Sequence, residues 1–241
     1  MAKKGIDVSQ WQGDINWNDV RTDFVILRAG YGRVASQVDT KFERNYNGAK
    51  QAGIPVGAYW YSYAMSEDEA REEARVFMSI IKGKQFEYPV YFDVEEQKTL
   101  ALGRDKVSAI ITAFLNEMEK NGYFAGLYMS ASPLTTYTTQ YVKDRYAVWV
   151  AHYGVNKTTY SGQYGMWQYS STGKINGING NVDMNECYVD YPALIKKDGR
   201  NGFTKQETSQ PVETVPESPK TINIEVVVDG IKYGGTLSEK K

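Results

Sequence analysis

The chain has 241 residues, 41% of them hydrophobic, and a formal net charge of −1. That length and apolar content fit one large domain, or one medium domain with an appendage, around a real core. The near-neutral charge gives no general attraction to nucleic acid or to an anionic membrane. Cys187 is the only cysteine, so no internal disulfide can form. The basic residues Lys3 and Lys4 are followed by no apolar h-region, so no signal peptide is read, and no run of about 18 apolar residues suggests a membrane span. Nineteen Tyr and five Trp stand out, because rings with a polar edge suit surfaces that are half apolar and half wet, as sugar faces are.

Strands and helices alternate through the first half. Gly5–Ser9 reads as a strand ending near Asp7, and Phe24–Gly30 as a second, apolar until Arg28. Phe42, Tyr46 and Ala49 recur at helical spacing and Gly53 closes that helix. Ile54–Tyr61 is a third strand. Ser66 with Glu69 forms a capping box before a helix marked by Ala70, Ala74, Phe77, Met78 and Ile81. Tyr88–Glu96 is a short buried strand that runs into carboxylates. Val107, Ile110, Ile111, Phe114, Leu115 and Met118 mark one face of the clearest helix, which Asn121-Gly122 ends. Phe124–Met129 is a fifth strand. Beyond it the helical signal weakens, and Tyr146–Ala151, Gly165–Tyr169 and Asn181–Asn185 read as three more strands joined by turn-rich loops. The continuous apolar runs fit parallel strands covered on both faces. The expected fold is therefore an irregular TIM-like α/β barrel of about eight strands with fewer helices than strands.

On a strand, residues two apart share a face, so Asp93 and Glu95 point the same way, about 6–7 Å apart at Cα. Two carboxyl groups at that spacing can flank one bond and shift each other's pKa. One protonated beside one ionised is what acid-assisted cleavage of a glycosidic bond needs. Asp7, Arg28, Tyr59, Tyr61, Asp93, Glu95, Tyr128, His152, Gln168 and Asp183 all read as lying near the C-terminal ends of their strands, which converge on one mouth in such a barrel. Trp149 and Trp167 could stack on sugar or fill the barrel, whereas Trp11 and Trp17 read as packing residues. His152, the only histidine, reads as structural, since a two-carboxylate mechanism needs none. With no His/Cys cluster, neither a metal nor any other cofactor is expected.

Gly5-Ile6-Asp7-Val8-Ser9-Gln10-Trp11-Gln12-Gly13, Ile26-Leu27-Arg28-Ala29, Val56-Gly57-Ala58-Tyr59, Asp93-x-Glu95 and Val182-Asp183-Met184-Asn185, in that order, resemble family 25 glycoside hydrolases, the Chalaropsis-type lysozymes or muramidases. The resemblance covers about residues 5–195. It implies hydrolysis of the β-1,4 bond between N-acetylmuramic acid and N-acetylglucosamine in bacterial peptidoglycan. It also implies Glu95 as general acid, Asp93 as the carboxylate that stabilises the reacting centre, and Asp7 and Asp183 as outer acids. Arg28, Tyr59, Tyr61, Tyr128, Trp149, Trp167 and Gln168 are then candidates for holding substrate. The chain departs at Trp60, where many members carry His. Two rivals are a chitinase-like glycosidase, whose motif has aspartates where this chain has Tyr91 and Tyr88, and a non-catalytic glycan-binding module, in which Glu95 or Asp93 would be expected to be lost.

Residues 1–203 are thus expected to form the catalytic barrel and 204–220, with three of the seven prolines, a semi-extended linker. Residues 221–241 read as a small hairpin: Ile222, Ile224, Val226 and Val228 alternate with other residues, and Asp229-Gly230 is the turn. A lone hairpin is marginal in water, which points to a homo-oligomer, a dock on the barrel, or part of a wall-binding module. The linker, the small C-terminal element and the lack of a signal peptide point to a phage endolysin, held in the host cytoplasm until lysis and then acting on the wall, with a bacterial autolysin as the alternative.

Overall fold

The computed structural model describes residues 2–205, 221–228 and 231–238. The chain divides into two units, Met1–Gln206 and Glu207–Lys241. In the first, eight strands close into a barrel in chain order: β1 (Lys3–Val8), β2 (Phe24–Tyr31), β3 (Val56–Tyr61), β4 (Val90–Asp93), β5 (Ala125–Ser130), β6 (Ala147–Ala151), β7 (Met166–Gly173) and β8 (Val182–Cys187). The helices among the described residues are α1 (Phe42–Gln51), α2 (Glu67–Ile81), α3 (Gln97–Leu100), α4 (Arg104–Lys120), α5 (Ala131–Tyr137), α6 (Gln140–Arg145) and α7 (Tyr191–Asp198). The short α3, α5 and α6 and the terminal α7 are absent from the sequence reading, which places only α1, α2 and α4. No helix is long and apolar enough to cross a membrane among the described residues.

Strands β1 to β7 run parallel, but β8 is antiparallel to both its neighbours, β7 and β1. This corrects the reading of parallel strands throughout. The chain between Gly173 and Val182 is too short to carry a crossover back along the barrel, so the strand must turn round. Asp183 is therefore the second residue of its strand and does not lie near the C-terminal end. It still reaches the same mouth, because β8 starts where β1 to β7 finish; it pairs directly with Asp7.

Strand alternation separates two cores. Phe24, Ile26, Tyr91, Tyr128, Trp149, Met166 and Cys187 point into the barrel, and Tyr191 and Ile195 of α7 join them at the far end. Val25, Leu27, Trp60, Phe92, Leu127 and Val150 point outward, against Phe77 of α2 and Phe114 of α4. Phe92 stacks on Phe114 at 3.8 Å and Trp60 on Phe77 at 5.3 Å. Trp60 is thus an outer-layer residue whose indole N–H donates to the Gly32 carbonyl at 2.9 Å. The departure from the family at this position falls on the helix-facing side, away from the mouth.

The second unit is a strand pair, β9 (Thr221–Val228) and β10 (Ile231–Ser238), antiparallel with Ile231 opposite Val228. Lys232 and Glu225 form an ion pair across it at 2.9 Å. The expected turn at Asp229-Gly230, and the expected linker apart from Thr204 and Lys205, lie outside the described residues.

Candidate active site

The barrel mouth holds a cavity of about 220 Å³ lined by Asp7, Tyr59, Tyr61, Asp93, Glu95, Tyr128, Trp149, Tyr153, Gln168 and Asp183. Each side chain is delivered by strand geometry. Tyr59 and Tyr61 sit two apart on β3, so both face inward beside Asp93 on β4, whose register partner is Tyr61. β4 stops at Asp93, and Glu95 lies just beyond it rather than on it. Its approach is kept in line by one further backbone bond, Val94 N–H to the Tyr128 carbonyl at 3.2 Å.

Asp7 is the most tightly held acid. Its Oδ2 accepts from Gln168 Nε2 at 2.7 Å and from Asn185 Nδ2 at 2.8 Å. Both amides are oriented in turn: Gln168 Oε1 accepts from the Tyr128 and Tyr153 hydroxyls at 2.7 and 2.5 Å, and Asn185 Oδ1 from Trp149 Nε1 at 2.8 Å. These amide N–H groups favour an ionised Asp7, yet burial, and then the Asp183 charge, win and push its pKa well up. Asp183 is raised by burial to about 6.

Asp93 differs in having no such support. It is buried and its Oδ1 has no hydrogen-bond partner in the protein among the described residues. Burial first, then the charges of Glu95 and Asp7, push its pKa well up, with Arg28 pulling the other way. Glu95 is raised chiefly by burial, and only the Ser130 hydroxyl, at 3.4 Å from Oε1, opposes this. The cavity therefore holds four carboxyl groups that all keep protons to higher pH than in water, inside a ring of tyrosines. That is an arrangement able to donate a proton to one substrate atom and to stabilise positive charge at its neighbour.

Several expectations need adjusting. Arg28 does not line the cavity; its Nε donates to Asp39 Oδ2 at 2.7 Å, a buried carboxylate that also receives the Gln10 N–H. Trp167 belongs to the outer core and its Nε1 donates to the His152 carbonyl, so it fills space rather than faces the mouth. Trp11 is not a packing residue: it is 76% exposed on the turn after β1, with its ring 6.0 Å from the Arg28 guanidinium. Trp17 is buried, as a packing residue should be. Tyr153 and Asn185 are the residues that the sequence reading left without a role. Asn185 stands two positions after Asp183 on the same strand face, a spacing that could have pointed to it.

The family model for glycosyl hydrolases family 25 matches residues 6–178. The autolytic lysozyme of Clostridium acetobutylicum is 31% identical over 186 residues, covering 76% of this chain and 55% of that protein. Among solved structures, the CTP1L endolysin superposes with a TM-score of 0.71 at 27% identity, covering 80% of this chain and 69% of that one. The modular autolysin LytC of Streptococcus pneumoniae, solved with a synthetic peptidoglycan ligand, gives 0.70 at 30% identity, covering 78% and 47%. The chain thus spans about half the length of the two autolysins it matches. With the match reaching across most of the barrel, the chain belongs to glycosyl hydrolases family 25.

Proposed function

We propose that this chain hydrolyses the β-1,4 bond between N-acetylmuramic acid and N-acetylglucosamine in bacterial peptidoglycan, with retention, and so lyses bacterial walls. The observation that carries the reading is the gathering of Asp7, Asp93, Glu95 and Asp183 in one tyrosine-lined cavity of a family 25 barrel. The named functions of the similar lysozyme, endolysin and autolysin support it.

Glu95 is assigned the acid. Its O–H gives its proton to the glycosidic oxygen as the bond from C1 breaks and the electron pair passes to that oxygen. Asp93 faces C1. An acetamido N–H of the sugar, and the positive charge growing at C1, would favour the ionised form of a carboxyl whose Oδ1 has no protein partner. Asp93 then either attacks C1 or steadies the oxazolinium ion formed by the 2-acetamido group. Water completes the reaction at C1 and returns a proton to Glu95. Asp7 and Asp183 set the charge of the cavity, while Tyr59, Tyr61, Tyr128, Trp149 and Gln168 hold the sugar. Arg28 acts at a distance, as the cation that opposes the rise at Asp93. The enzyme would be made inside a bacterium and reach the wall at lysis, as an endolysin does. The strand pair at 221–238 would hold copies of the chain together.

The test is Glu95→Gln in a turbidity assay on purified walls. The change is nearly isosteric and removes the transferable proton, so lysis should slow by about 10²–10⁴-fold. Lysis within a factor of two of the unchanged enzyme would overturn the assignment. Retention is checked by NMR of the first-formed anomer. It is expected because a pair of carboxyls two residues apart in sequence is better placed for the narrow gap of about 5–5.5 Å of retaining enzymes than for the wider inverting one. An inverted product would refute it.

A further inference from the structure

The end of the barrel opposite the mouth carries charge of the other sign. Three segments meet there: 82–88 before β4, 119–124 before β5, and 196–205 at the end of α7 and beyond it. Asn201, fully buried, ties them together. Its Nδ2 donates to the Phe86 and Tyr88 carbonyls at 3.2 and 2.9 Å, and its Oδ1 accepts the Phe124 N–H at 2.7 Å. Its own backbone N–H reaches the Gly122 carbonyl at 3.0 Å, and Gln85 Nε2 donates to the neighbouring Gly202 carbonyl at 3.0 Å.

These segments hold seven Lys or Arg against three acids. Glu87 is paired with Lys50 and Glu119 with Arg145, which leaves Asp198. Lys84 is paired with Glu43. Lys82, Lys120, Lys196, Lys197, Arg200 and Lys205 make no ion pair among the described residues, and Lys82, Lys120, Lys197 and Lys205 are exposed. The field of an exposed charge reaches about 8 Å at physiological salt, so cations on segments bonded to one another add into one positive surface. No large apolar side chain of the three segments is exposed, and Lys196 Nζ covers the Phe203 ring at 5.5 Å. Such a surface has little to enter a bilayer or to stack on a base. Its charges are spread over three segments rather than gathered round one point, which suits a chain of anions better than a single one.

We propose that this face binds a linear polyanion of the bacterial wall, a chain of polyol units joined by phosphodiesters, and so holds the barrel on the wall with its mouth free. The choice of a wall polymer rests on the wall-lysing reading, whereas the positive surface does not. The two ends of the barrel then sort the same polymer. Lysine and arginine at the strand starts attract it, while Asp7, Asp93, Glu95 and Asp183 at the mouth repel it once ionised, so the polymer is steered away from the cavity that must admit the glycan.

The test measures binding, which needs no turnover. The full chain is titrated with purified poly(glycerol phosphate), with vesicles of anionic phospholipid and with a single-stranded oligonucleotide. It should bind the polyol phosphate most tightly, and about tenfold or more weakly at about 300 mM salt than at about 50 mM. The combined variant Lys82→Glu, Lys120→Glu, Lys197→Glu and Lys205→Glu should lose about tenfold or more at the lower salt. Lys→Gln at the same four positions should lose in the same sense, and Lys→Arg should bind like the unchanged chain. All three sets should keep the melting temperature and the kcat/KM on a soluble tetrasaccharide, since the four side chains are exposed and remote from the mouth. No binding of the polyol phosphate at the lower salt would overturn the proposal, as would equal binding by the Lys→Gln set. Tighter binding to the vesicles or to the oligonucleotide would overturn the partner named. A chain that binds the polyol phosphate but cleaves no peptidoglycan refutes the muramidase reading and not this face.

Discussion

Asp7 and Asp183 face each other across the β1–β8 pair, where like charges repel directly. The repulsion has a use. Below about pH 6 Asp183 carries its proton and leaves its neighbours alone; above it, its charge helps Glu95 to keep the proton that catalysis needs. The sign follows: Glu95 is raised, so the acid form is present at low pH and is lost as pH rises through its folded pKa, and with it activity. Removing the Asp183 charge should bring that loss on earlier. Asp183→Asn should therefore move the alkaline limb of the pH–rate profile to lower pH, measured as kcat/KM on soluble peptidoglycan fragments. A limb that stays or moves up would show that Asp183 does not act on Glu95 through its charge. Residues of this kind were the more legible part of the site, because Asp7, Asp93 and Glu95 stand near the ends of recognisable strands that a barrel brings to one mouth. The residues that orient them were not. Asn185 bonds Asp7 from 178 positions away, and Arg28, a cation at a strand end, is claimed by Asp39 only once the chain has folded.

Elements were legible where a periodic face was long. Helix α4 buries Val107, Ile110, Ile111, Phe114, Leu115 and Met118, the residues whose spacing marks it. Helix α7 went unread although Asp190 caps it, Pro192 opens it and Gly199 ends it at φ 64°, because only Tyr191 and Ile195 are buried in so short a helix. Strand direction at β8 was not legible either, since an alternating pattern reads the same both ways; only the short β7–β8 loop encodes it. At α2 the sequence was half right. Ser66 caps it by accepting the Glu69 N–H, but the Glu69 carboxylate accepts from Met65 N–H at 2.7 Å and not from Ser66. The same helix hides a residue that pattern reading passes over. Glu73 is fully buried; one oxygen accepts the Tyr63 N–H at 2.9 Å and the other has no partner in the protein among the described residues. It thereby fixes the loop after Tyr61, whose Ser62 N–H bonds the Asp93 carbonyl at 2.9 Å. Burial lifts Glu73 from an ordinary 4.5 to about 7. The unfolded chain releases this proton near 4.5 while the folded one keeps it, so stability is lost as pH rises from about 4.5 to 7, by about 3 kcal/mol in all. Glu73→Gln keeps the acceptor and cannot ionise. Its melting temperature relative to the unchanged protein should be higher at pH 8 than at pH 4 by about 5–10 °C. An offset that is the same at both pH values would mean that Glu73 does not titrate in the fold.

At the scale of the whole molecule, the family match ends at residue 178 and says nothing of the strand pair beyond 220. Its register does. Ile222, Ile224, Val226 and Val228 alternate on β9, and their partners on β10 are Leu237, Gly235, Tyr233 and Ile231. Residues directly opposite in a ladder share a face, so these eight positions fall on one side of the pair and Asn223, Glu225, Val227, Lys232 and Thr236 on the other. Ile231 is 58% exposed. Two strands with one apolar face are marginal in water, and a second copy of the same face is a self-complementary way to cover it. Association through this face would give an oligomer whose several barrels engage one wall together, raising avidity without any new contact in the cavity. Light scattering on the full chain and on a chain ending at Phe203 checks this. The full chain should run as an oligomer and the shortened one as a monomer, with equal kcat/KM on a soluble tetrasaccharide and weaker retention of the shortened chain on insoluble walls. Monomers in both cases would refute self-association, and equal binding to walls would refute the avidity that it is proposed to supply.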